Sequence, residues 1–141
     1  MRKIILVLSL LNITIACSLN SKKNSYNIDI ETVKSQTIEL HDKLMLDMGK
    51  LLKVKKTLEV MAKDSSDTAQ LSNTLNAINQ LYSADKAMWD WMHNFDIAYR
   101  VEQDSITLLY FDSQLRMIQE VDSLFETSIA EGQKIVSKRM D

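Results

Sequence analysis

Proline is absent from the 141-residue chain, glycine occurs only twice and cysteine once. Sandwiches, barrels and hairpin-rich folds use glycine and proline to turn the chain, so their scarcity excludes those classes and leaves long helices joined by few loops. A lone cysteine cannot close an internal disulfide or build a thiolate zinc site, and two glycines cannot form a phosphate-cradling loop. Nucleotide-binding enzymes of the familiar kinds are therefore set aside. Charge of one sign is lacking as well: 17 basic against 19 acidic side chains give a net charge of -2, with no electrostatic footprint for nucleic acid. What is present is 45% hydrophobic content and eight methionines, enough for one domain with a small core.

The N-terminus stands apart from the rest. Arg2 and Lys3 precede an apolar run from Ile4 to Ala16, broken only by Ser9, Asn12 and Thr14. A basic start followed by a run shorter than the roughly 18 to 20 residues of a bilayer span reads as a secretory signal over 1–16. Thr14-Ile15-Ala16-Cys17 then resembles a bacterial lipobox, in which small residues precede a lipidated cysteine; Thr14 stands where an aliphatic residue is more usual. Cys17 is thus the expected lipidation site. Cleavage before it removes Arg2 and Lys3 and takes the net charge from -2 to -4. Glycerol-linked and amino-linked acyl chains of the palmitate type supply two or more anchors, which suffice for stable membrane attachment. The sulfur is then consumed, and thiol catalysis and redox sensing are closed to it. Residues 17–27, polar after the cysteine, read as a flexible tether, and 28–141 as the folded domain.

From Ile30 onward the apolar residues keep helical spacing. Thr37, His41, Leu44, Met48, Leu51, Lys55, Leu58 and Ala62 alternate by four and three, which predicts a helix over about 29–62. Asp64 to Asp67 breaks it, and Asp67 followed by Gln70 has the spacing of a capping box. A second pattern through Leu71, Leu75, Ile78, Leu81, Tyr82, Asp85, Met88, Trp89, Met92 and Phe95 predicts a helix over 68–94. A third, through Leu108, Phe111, Leu115, Ile118, Asp122, Phe125, Ile129, Gly132 and Val136, predicts one over 104–138. Three such helices can bury their stripes only against one another, giving an antiparallel up-down-up three-helix bundle. Gly132 lies on a stripe and suggests close approach of a neighbour; Gly49 lies beside one and suggests a bend. An extended coiled-coil oligomer is the competing arrangement.

Polar residues inside the stripes need partners. A turn near residue 64 places His41 level with Asp85, and parallel packing of the first and third helices lays Lys55 near Asp122, so these two pairs are expected to set register. A histidine backed by a carboxylate is also a general-base or metal-ligand arrangement, but no nucleophile motif or oxyanion turn accompanies it, and a non-enzymatic protein is expected. His41, Met45, Met88, Met92 and His93 form a second possibility, because thioethers with imidazole suit Cu(I); the same methionines also serve as flexible core filler. Trp89 falls near the second helix's stripe, whereas helical spacing turns Trp91 away from it and makes it a candidate exposed partner-binding spot.

His41-Asp42, Met45, Met48-Gly49-Lys50, Ala84-Asp85-Lys86-Ala87-Met88 and Asp90-Trp91-Met92-His93-Asn94-Phe95 together resemble a group of small Bacteroidetes lipoproteins of unknown function, some of which are labelled automatically "viral A-type inclusion protein". The likeness spans most of 38–95 and reaches the third helix only through its general pattern. It implies an exported helical lipoprotein and no mechanism. Surface lipoproteins of that phylum commonly carry acidic residues after the lipidated cysteine; Ser18 to Lys23 has none, which implies the periplasmic face of the outer membrane. The sequence therefore predicts a lipid-anchored envelope protein acting as a structural or protein-interaction module with an envelope protein partner, the alternative being a periplasmic Cu(I)-binding lipoprotein.

Overall fold

A computed structural model describes the backbone of residues 2–140 and the side chains of residues 25–139. It holds three helices, α1 (Arg2–Lys63), α2 (Thr68–Asn94) and α3 (Asp104–Met140). They run up, down and up, each packed against the other two, as an all-α three-helix bundle. The expected limits of α2 hold at both ends, and α3 extends two residues beyond the expected 138. The start of α1 differs from the expected 29, and Asn27 in its first half touches the connection before α3: its Oδ1 accepts a hydrogen bond of 2.8 Å from Arg100. The signal segment 1–16, Cys17 and the tether as far as residue 24 lie outside the described side chains.

The inward seams repeat by sevens. On α1 the sequence Ile30, Thr37, Leu44, Leu51, Leu58 is buried, and on α2 the two interleaved rows are Thr74, Leu81, Met88 and Ala77, Ala84, Trp91. On α3 the rows are Phe111, Ile118, Phe125 and Thr107, Gln114, Val121, Ser128, with Gly132 closing the first. A 3.5-residue repeat keeps one seam facing inward along helices of this length, as in a left-handed coiled coil. Two threonines on the seam satisfy themselves locally: Thr37 and Thr74 each donate to the carbonyl four residues back at 2.8 Å.

Side-chain oxygens do the turning that glycine and proline do elsewhere. Asp67 Oδ1 accepts from the backbone N–H groups of Ala69 and Gln70 at 2.8 and 3.1 Å, capping α2. At the other end, Asp96 N–H donates to Tyr110 Oη at 2.7 Å, Asp96 Oδ1 accepts from Ala98 N–H, and Val101 N–H donates to the buried Thr107 Oγ1. Arg139 donates to the Met61 carbonyl at 2.9 Å and so satisfies one of the last acceptors of α1. Gly49 is exposed, has no positive φ, and a Cβ there would meet nothing within 4 Å. Gly49→Ala should therefore raise the unfolding free energy by about 0.5–1 kcal/mol, read as a higher urea midpoint with an unchanged slope.

Neither expected register pair forms. Lys55 Nζ bonds Asp85 Oδ2 at 3.2 Å, and Asp122 is held instead by Lys43, at 2.8 and 3.1 Å. Helical side chains lean towards their own N-terminus. In the antiparallel pair α1 and α2, Lys55 and Asp85 therefore lean towards each other, while His41 and Asp85 lean apart. For α3 the error lies in the connection: residues 95–103 climb along α1 past the end of α2 before α3 begins. Arg100 reaches Asn27 there, and Lys43 and Asp122 stand 79 positions apart. The hydrogen bond that Lys43 donates to Asp122, with help from Glu126, raises the Lys43 pKa above 10.5. That attachment is present below pH 10.5 and lost as pH rises through the raised value; with Lys43 half exposed its contribution is small.

Candidate functional site

The end of α2 carries four of the sequence-predicted residues, Met88, Trp91, Met92 and His93, and the two tryptophans exchange burial. Trp91 is 3% exposed and Trp89 is 53% exposed. Trp91 continues the row Ala77, Ala84, Trp91, seven residues per step, so it enters the core where α2 meets α3. Its indole N–H donates to the Gln114 carbonyl at 3.3 Å, Phe95 stacks on it at 4.6 Å, and the His41 ring tilts against it at 5.8 Å. Phe95 in turn meets Phe111 edge-on, and Tyr110 stacks with Tyr99 of the connection at 4.1 Å. An aromatic layer thus seals the end of the bundle where α2 stops. Trp91 is unavailable as an exposed partner spot, and the exposed tryptophan of this segment is Trp89.

The five residues of the Cu(I) alternative are not brought together. Met88 is fully buried among the core leucines, Met45 is 45% exposed, and Met92 lies half-buried. His93 is exposed, with Nδ1–H donated to the Trp89 carbonyl at 2.7 Å and its ring 6.1 Å from that of Trp89. Met88 and His93 are about 140° apart around the helix, too far for one ion with bonds of about 2 Å. His41 stands on Trp91, with Nδ1 3.0 Å from Asp42 rather than Asp85. Among the described residues, no group of three or more His, Cys, Asp or Glu has metal-holding geometry. The cluster resolves into a core residue, two half-buried ones and two surface ones.

What the geometry assembles is a face along the groove between α1 and α2. Lys55 and Asp85 bridge the groove, each about one-sixth exposed, and Lys55 Nζ lies 6.0 Å from the Tyr82 ring centre. Above this pair, Leu75, Tyr82 and Trp89 form an outward row at intervals of seven, and Met45 and Leu52 form a matching row on α1. All five remain about half exposed. Lys86 and Asp90 pair beside the row, and that hydrogen bond raises the Lys86 pKa. Sequence reading missed Lys43 and Gln114. The first carries a plain charged side chain on an outer face; the second was passed over for its larger neighbour Leu115, although its side-chain Oε1 is buried without a hydrogen-bond partner. Among the described residues no helix is long and apolar enough to cross a membrane. Comparison of the chain with family models, with curated proteins and with solved structures finds no match.

Proposed function

We propose that the chain is a lipid-anchored protein of the bacterial envelope, a non-enzymatic structural or protein-interaction module attached through Cys17 to the periplasmic face of the outer membrane. The observation that carries this reading is Thr14-Ile15-Ala16-Cys17 directly behind a basic start and a short apolar run. Two features of the fold support it. The interior is filled by leucine, methionine and aromatic side chains, so the bundle is a rigid unit, and the large apolar groups it leaves uncovered lie in rows suited to helix packing. Ser18 to Lys23, without an acidic residue, supports the periplasmic side.

Metabolic labelling with a palmitate analogue tests the anchor. The wild-type chain should incorporate label, and Cys17→Ala should lose it completely. The domain behind it keeps its helical circular dichroism, because the bundle's core starts at Ile30. Absence of label in the wild-type protein, or label retained by Cys17→Ala, removes the basis of the proposal.

A further inference from the structure

The stripe that sequence periodicity picks out on α2 is only half used by the fold. Ile78, Asp85 and Met92 are partly buried, while Leu75, Tyr82 and Trp89, seven residues apart, are 46%, 59% and 53% exposed. Across the groove Met45 and Leu52 are 45% and 44% exposed, again seven apart. Scattered apolar side chains on a surface need no explanation, but two parallel rows with coiled-coil spacing on one groove do.

We infer that this groove is the interface of a homodimer, in which a second copy of the chain lays its own α1 and α2 over the first. Symmetry carries the choice of occupant. An antiparallel helix pair is self-complementary under a two-fold axis running along the groove, because that rotation sets α1 against the partner's α2 at unchanged level. The Met45 and Leu52 row of each copy then faces the Tyr82 and Trp89 row of the other. The result is an antiparallel four-helix layer with α3 on each outer side.

Area and charge agree with a second copy. Five large side chains about half exposed leave roughly 500 Å² per protomer to cover, hence about 1,000 Å² in all, at the lower bound for a specific interface and in the range of a weak one. Thr68 to Ala84 contains no charged side chain, so Lys56 and Lys63 on the α1 rim face no like charge across the axis. Lys55 and Asp85 arrive already paired, and the two pairs form a polar layer that fixes register. An axis along the helices also puts both N-termini at the same end, so two anchors can enter one membrane. This pairing names the partner within the interaction-module reading and rests on it, while needing nothing from the lipid.

Sedimentation equilibrium of the full chain in a density-matched mild detergent, over roughly 1–100 µM, tests it. The wild type should move from the mass of one chain towards twice that mass of protein with a micromolar midpoint. A Tyr82→Lys, Trp89→Lys variant should stay monomeric at every concentration, with helical circular dichroism unchanged because both side chains point outward. A wild type that remains monomeric throughout overturns the pairing and leaves lipidation at Cys17 standing. A variant that dimerises as the wild type does shows that another surface is used, and overturns it equally.

Discussion

Trp91→Ala should lower the unfolding free energy by about 3–5 kcal/mol, whereas Trp89→Ala, two residues away, should change it by less than about 1 kcal/mol. The contrast follows from burial. Trp91 lies between Phe95 and His41 at the point where α2 ends, and its indole N–H satisfies the Gln114 carbonyl. Truncation would empty a site that the rigid helices around it cannot close, and would leave that carbonyl with one partner fewer. Trp91→Phe should fall between, losing the hydrogen bond and part of the contact for about 1–2 kcal/mol. Urea unfolding followed by circular dichroism measures all three, and Trp89→Ala proving as costly as Trp91→Ala would contradict the phase of α2 described above.

The second large effect concerns Gly132. A Cβ there would stand 2.5 Å from Val54 Cγ1 and 3.4 Å from both Leu58 Cδ1 and Leu81 Cδ1, so this residue is where all three helices approach. Gly132→Leu must force them apart, and the overpacking cost of up to about 3 kcal/mol outweighs the roughly 1 kcal/mol gained in helix propensity, for a net loss of about 2 kcal/mol. Gly132→Ala is the discriminating control. Val54 borders a shallow groove beside Val136 and can give way into it, so clash and propensity should nearly cancel. Stabilisation by Gly132→Leu, in the manner expected for Gly49→Ala, would show that the helices do not meet there.

The number and order of the helices, both limits of α2 and the start of α3 were legible because the 3.5-residue rhythm survives in residues such as Leu44, Leu51, Leu58 on α1 and Phe111, Ile118, Phe125 on α3. It misled where the seam is made of small or polar residues. Thr74, Ala77 and Ala84 let α2 lie close to its neighbours, yet the larger Leu75, Ile78 and Tyr82 beside them dominate any reading by hydrophobicity. The same substitution of eye for geometry put Leu108 and Leu115 where Thr107 and Gln114 are buried. One residue of phase is about 100°, which is why Trp89 and Trp91 changed places.

Pairings were less legible than periodicity. Levelling Cα positions brought His41 to Asp85, but the lean of side chains along antiparallel helices delivers Lys55 there instead. Without knowing that residues 95–103 climb to Asn27 before α3 starts, no spacing could have assigned Asp122 to Lys43. The histidine and methionine cluster came apart around the helix rather than along it. Met88 turns into the core while Met45 and His93 stay exposed, and coordination needs all donors on one side.

Lipid attachment at Cys17 is the claim on which the functional account stands, and the intact mass of the protein extracted from its native membranes tests it most directly. The account predicts a chain that begins at Cys17 and is heavier than residues 17–141 by a diacylglyceryl group and an amide-linked acyl chain. A chain that begins at Met1, or one that begins at Cys17 or beyond with no added mass, would contradict it.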